Sequence, residues 1–133
     1  MTLKEATKKK SELRMYAFFV LYFLNEHKSL TGYELGNLIK EKTRGYFSAT
    51  AGNVYPVLKD LEEKGYVSSE EPVGGRGKIR YSITINGKRA LRESAKIYKE
   101  RFENIVQFFD KVLNEDASVL QLGIQSGGVI DIA

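Results

Sequence analysis

In this 133-residue chain, residue type and spacing come closest to spelling out a chemistry at Gly74-Gly75-Arg76-Gly77-Lys78. Glycines let a loop approach another backbone closely, and an arginine fork matches two oxygens of a phosphate. From Gly74 to Arg92 the basic residues Arg76, Lys78, Arg80, Lys88, Arg89 and Arg92 stand without a single acid among them. A run of that kind is an electrostatic footprint for a polyanion. It is not a nucleotide-cradling loop, because the G-x-x-x-x-G-K-[ST] spacing is absent. An ordinary solvated hairpin turn has the same composition, so the neighbouring elements must decide between the two.

Composition removes most other chemistries. The chain has no Cys, and so no disulfide, no thiolate nucleophile and no Cys-bound zinc. Its one histidine, His27, falls in an interhelix turn and cannot build a His-rich metal site. Asp60, Glu62 and Glu63 read as a solvated face, since no convergent partner accompanies them. No enzyme and no cofactor is therefore expected. With 21 Lys+Arg against 17 Asp+Glu the net charge is +4, mildly basic. The longest apolar run, residues 15–24 (MYAFFVLYFL), is too short for a membrane span of about 20 residues. It has the length of a signal-peptide core, but Glu5 and Glu12 lie in its flank and no A-x-A-like site follows. It reads as a buried helix, and a cytoplasmic location is expected.

The elements that would carry the loop follow from periodicity. A first helix is predicted over residues 11–26. It is apolar nearly all round, so burial on every side is expected, with a partner subunit covering one of them. Thr31-Gly32-Tyr33-Glu34 has the spacing of a capping box, opening a second helix that ends near Lys42. A third helix is predicted over 50–64, with Val54, Val57, Leu58 and Leu61 on one buried face. Gly65 stands just past its end, and Pro56 suggests a kink or an irregular first turn. The period then changes to two. Residues 66–70 read as a strand, and Ile79, Tyr81, Ile83 and Ile85 alternate along a second one, with the glycine loop between them. Over residues 86–113, Leu91, Ala95, Tyr98, Phe102, Ile105, Phe109 and Val112 form a heptad seam. A helix over that stretch would be about 42 Å long, too long for so small a domain to cover, and reads as a dimerisation helix. Residues 114–133 break the pattern and are expected to be a mobile tail, or else a strand or short helix that docks.

Three helices, a hairpin and a long helix make a mainly α (α+β) chain in the winged helix-turn-helix arrangement. The winged-helix unit is expected over residues 1–85, the dimerisation helix over 86–113 and the tail over 114–133. The third helix would enter a DNA major groove and the hairpin loop would lie on the phosphates. Ser48, Thr50 and Asn53, at the start of the third helix, are the candidate contacts to base edges or phosphates, with Tyr55 and Lys59 on the same exposed side. Ser48 or Thr50 can also cap that helix, and Tyr55 can equally belong to the core. A winged helix used only for protein interaction is the alternative reading.

The same residues resemble the PadR family of transcriptional regulators. The resemblance runs through Thr31-Gly32-Tyr33-Glu34-Leu35, then Gly52-Asn53-Val54-Tyr55-Pro56-Val57-Leu58 with Leu61-Glu62 and Gly65-Tyr66-Val67, then the glycine loop and Tyr81, Ile83-Thr84, Gly87 and Leu91. It covers about residues 13–113. It implies a homodimeric repressor of the small subfamily that binds double-stranded DNA at an inverted-repeat operator and dimerises through its first and last helices. It also implies a small-molecule effector, often aromatic, that relieves DNA binding. The candidate DNA contacts are then Thr31, Tyr33, Ser48, Thr50, Asn53, Tyr55, Lys59, Arg76, Lys78 and Arg80. Phe19, Phe23, Leu91, Tyr98, Phe102, Ile105, Phe109 and Val112 are the candidate dimer contacts, and Tyr16, Tyr22, Tyr98 and Phe102 the candidate effector contacts. Thr31 stands where the family often has His. Ile79 stands where its wing often has a basic residue, and Arg80 follows it, a shift of one that reverses the strand face carrying the charge.

Overall fold

A computed structural model describes residues 13–47, 51–75 and 77–125, without the side chains of 51–53, 73 and 116–125. Helix α1 is Met15–Glu26, strand β1 is Leu30–Thr31, and helix α2 is Gly32–Lys42. Helix α3 is Ala51–Glu63, β2 is Val67–Glu70, β3 is Arg80–Ile83, and α4 is Ile85–Gln125. The mainly helical winged-helix architecture is as expected. The sheet is antiparallel in the order β1-β3-β2.

The apolar pattern explains the packing. On α1, Val20, Leu21 and Leu24 are fully buried and Phe23 nearly so. Leu35 and Ile39 of α2, Val54, Leu58 and Leu61 of α3, and Val67 of β2 complete the same core. Much of the apolar circumference of α1 is thus covered within its own chain, leaving Tyr22 exposed.

Local signals set the ends. Thr31 and Glu34 form both halves of the predicted capping box, at 3.1 Å from the Glu34 amide to Thr31 Oγ1 and 2.9 Å from the Thr31 amide to Glu34 Oε1. After α3, Gly65 takes φ +78°, and the amide of Tyr66 reaches back to the Leu61 carbonyl, closing the helix. Helix α3 is continuous through Pro56. The amide that Pro56 lacks would have bonded to Gly52, the second residue of the helix, so one bond at the very start is all that is lost.

Three boundaries differ from the expectations. Leu30–Thr31 forms a strand, pairing Leu30 with Tyr81 and Thr31 with Arg80. Strand β3 runs only from Arg80 to Ile83, so Ile79 before it and Ile85 after it do not join Tyr81 and Ile83 against the core, and the misjudged end is the one at Ile83. The cause is Thr84: its hydroxyl accepts from the Gly87 amide and donates to the Gly65 carbonyl, capping α4 at the point where the alternation suggested more strand. Helix α4 also continues past Leu113 to Gln125. The chain divides into two compact units between Lys96 and Ile97, inside α4. The first turns of α4 belong to the winged-helix unit because Ala90 and Leu91 pack on its core.

Candidate nucleic-acid interface

The N-terminus of α2 is where the candidate residues meet. Thr31 is buried and its hydroxyl accepts from the Glu34 amide in the cap that opens the helix. The next residue, Gly32, lies against the ring of Tyr55 from α3; a Cβ added at Gly32 would come within 2.6 Å of that ring. This contact turns the half-exposed Tyr55 toward the first turn of α2. Tyr33, 65% exposed, carries the Lys78 ammonium 5.0 Å over its ring, a cation–π contact between wing and helix. Lys59, one turn after Tyr55, is exposed. Ser48, Thr50 and Arg76 lie outside the described residues, and Asn53 is placed by its backbone alone, in the first turn of α3.

The wing is built on glycine. Gly74, Gly75 and Gly77 all have positive φ, and Gly75 closes a short turn onto the Pro72 carbonyl. Below the loop, Arg80 turns back onto its own chain. Its Nε donates to Ser29 Oγ at 2.8 Å, one Nη to the Ser29 carbonyl at 3.0 Å, and the other to Glu34 Oε1 at 3.4 Å. Hydrogen bonding from Thr31, chiefly its backbone amide, holds the Glu34 carboxyl below the ordinary carboxylate range, and the Arg80 charge adds to this. The Tyr81 hydroxyl is pushed up by burial and then by the neighbouring Glu62. Sequence reasoning missed Ser29 altogether and gave Glu34 only its capping role.

The candidate dimer residues separate into two groups. Phe19, Phe23 and Leu91 pack on the core of their own chain. In the second unit Phe102, Ile105, Phe109 and Val112 are all exposed. Val106, Phe108 and Leu113 are exposed beside them. A Phe102–Val106–Phe109–Leu113 spacing of 4, 3, 4 was the signal for this second stripe. The candidate effector residues also divide. Tyr22 lines a cavity of about 540 Å³ with Phe19, Phe23 and Leu38 and with the polar Glu26, His27, Lys42 and Thr43. Tyr16 lies elsewhere, edge-on to Phe47, with its hydroxyl buried and without a hydrogen-bond partner among the described residues. That burial raises the Tyr16 pKa. Tyr98 and Phe102 stack on each other at 6.0 Å in the second unit.

Among the described residues, no group of three or more His, Cys, Asp or Glu is placed to hold a metal ion. No described helix is long and apolar enough to cross a membrane.

Comparison with known proteins bears on the arrangement directly. Residues 20–93, more than half of the chain, match the transcriptional regulator PadR-like family. The negative transcriptional regulator PadR of Bacillus subtilis is 28% identical over 83 residues, which are 61% of this chain and 45% of that protein. The transcriptional regulator YqjI of Escherichia coli is 30% identical over 95 residues, 69% of this chain and 43% of that protein. The chain thus spans less than half the length of these two relatives. A transcriptional regulator from Clostridium thermocellum superposes with a TM-score of 0.63 at 23% identity, over 69% of this chain and 90% of that one, a likeness of fold.

Proposed function

Because this chain belongs to the PadR-like family of transcriptional regulators, we propose that it is a homodimeric repressor that binds a specific duplex and is released by a small aromatic effector. The observation that carries the reading is the meeting of Tyr33, Tyr55 and Lys78 around the first turn of α2. It couples three elements: the capped helix α2, the helix that enters the groove, and the wing.

In this reading Ser48, Thr50 and Asn53 address base edges from the start of α3. Lys59, Arg76, Lys78 and Tyr33 meet phosphates, which position without specifying. The exposed apolar residues of α4 from Phe102 to Leu113 meet a second copy, so that two reading heads face an inverted repeat. Repression is supported by the Bacillus subtilis relative, a negative regulator. The Tyr22-lined cavity sets Phe19, Tyr22, Phe23 and Leu38 beside Glu26, His27, Lys42 and Thr43, a mixed lining that suits an aromatic ligand carrying polar groups. In this reading the protein works in the cytoplasm.

Unbiased selection of bound duplexes from a random pool tests the reading. Enrichment of one inverted repeat is expected. Enrichment of nothing above non-specific binding would leave a winged helix that serves protein contacts.

A further inference from the structure

Arg80 sits among the wing's basic residues, yet three of its five N–H donors are already engaged. A guanidinium is a planar fork with donors at fixed angles. Here three of its nitrogens point to three acceptors at once: Ser29 Oγ, the Ser29 carbonyl and Glu34 Oε1. The Glu34 carboxylate lies 3.4 Å from one of these nitrogens in an exposed pair, so the fork faces Ser29 and Glu34 of its own chain.

What the fork does hold is the wing. Strand β1 is two residues long and pairs with β3 only at Leu30–Tyr81 and Thr31–Arg80. Side chains extend that short edge. Arg80 and Ser82, two apart and therefore on one face of β3, bond to the Ser29 and Lys28 carbonyls respectively. Above Arg80 the chain passes at once into a loop with positive φ at Gly77, Gly75 and Gly74. Arg80 is thus the β3 residue nearest the tip, and Lys78, whose ammonium lies over the Tyr33 ring, is only two residues beyond it.

We infer that Arg80 is a positioning residue: its fork braces the wing against Ser29 and the capped first turn of α2, and so sets where Lys78 meets DNA. The inference rests on the DNA-binding reading and refines it. An exposed ion pair contributes little to stability, so the fork acts on placement.

The test compares Arg80→Ala and Arg80→Lys in the full chain, alone and in a wing already carrying Arg76→Ala and Lys78→Ala. Affinity is read by fluorescence anisotropy on the duplex that the wild-type protein selects. Lysine keeps the charge but cannot reach three acceptors. Both substitutions are expected to weaken binding by roughly tenfold and to have no further effect in the stripped wing. Affinity restored by Arg80→Lys, or losses that add in the stripped wing, would make Arg80 a phosphate contact and overturn the brace. Amide hydrogen exchange at Arg80 and Tyr81 gives a readout that needs no DNA: faster exchange in both variants is expected, and unchanged exchange overturns the brace. If the wild-type protein selects no duplex, the regulatory reading fails while the exchange measurement still decides whether Arg80 braces the wing.

Discussion

Thr31 and Glu34 bond to each other's backbone amides, and Arg80 reaches the same carboxylate. Thr31→Ala removes one half of the cap and should cost about 1 kcal/mol in chemical denaturation. Glu34 titrates below the value its carboxyl would have in the unfolded chain. Its contribution is therefore present above the ordinary carboxylate range and is lost as pH falls through the depressed value. The melting-temperature difference between wild type and Glu34→Gln should shrink toward acid pH; a difference constant with pH would remove the charge from the account. Gly32 supplies a different kind of test. In Gly32→Ala the new methyl must displace the Tyr55 ring. The fold should survive, because that ring is half exposed and can turn outward, while duplex affinity should fall with it.

At the scale of elements, α3 is tied to the core by Val54, Leu58 and Leu61. Leu58→Ala should lower stability by about 2–5 kcal/mol, measured in urea, and loosen the reading helix with it. This helix and α2 were legible in the sequence, because a 3.6-residue period and a T-x-x-E cap are local signals that packing reinforces. Strand β1 was not, since Leu30 and Thr31 are too few to show any period. The end of β3 was misread for the opposite reason: Ile79, Tyr81, Ile83 and Ile85 alternate well, but Thr84 caps a helix there and overrides the alternation. The contact of Arg80 with Ser29 joins residues 51 apart in the chain, where no sequence spacing can announce it. Tyr33, Tyr55 and Lys78 could each be chosen from the sequence as polar or aromatic surface residues. Their meeting at Gly32 required the fold.

At the scale of the whole molecule, the apolar face of α4 has to be accounted for. Phe102, Ile105, Val106, Phe108, Phe109, Val112 and Leu113 are each at least 46% exposed. At 100° per residue they cover an arc of about 160°, wider than the seam of a two-stranded coiled coil. A second copy would therefore cover this face with more than one helix, and Phe109→Glu, placed within the arc, should shift the protein to single chains in sedimentation velocity. In the proposed reading the wing adds a salt-sensitive component. Arg76→Ala with Lys78→Ala should weaken binding to every duplex and flatten the dependence of affinity on salt. The central claim is that two copies of this chain read one DNA site together. The most direct measurement is sedimentation of the protein with its selected duplex against a scrambled one. Two chains per selected duplex, with the scrambled duplex left free at the same salt, is the result expected. A single chain per duplex, or equal binding to both sequences, would contradict it.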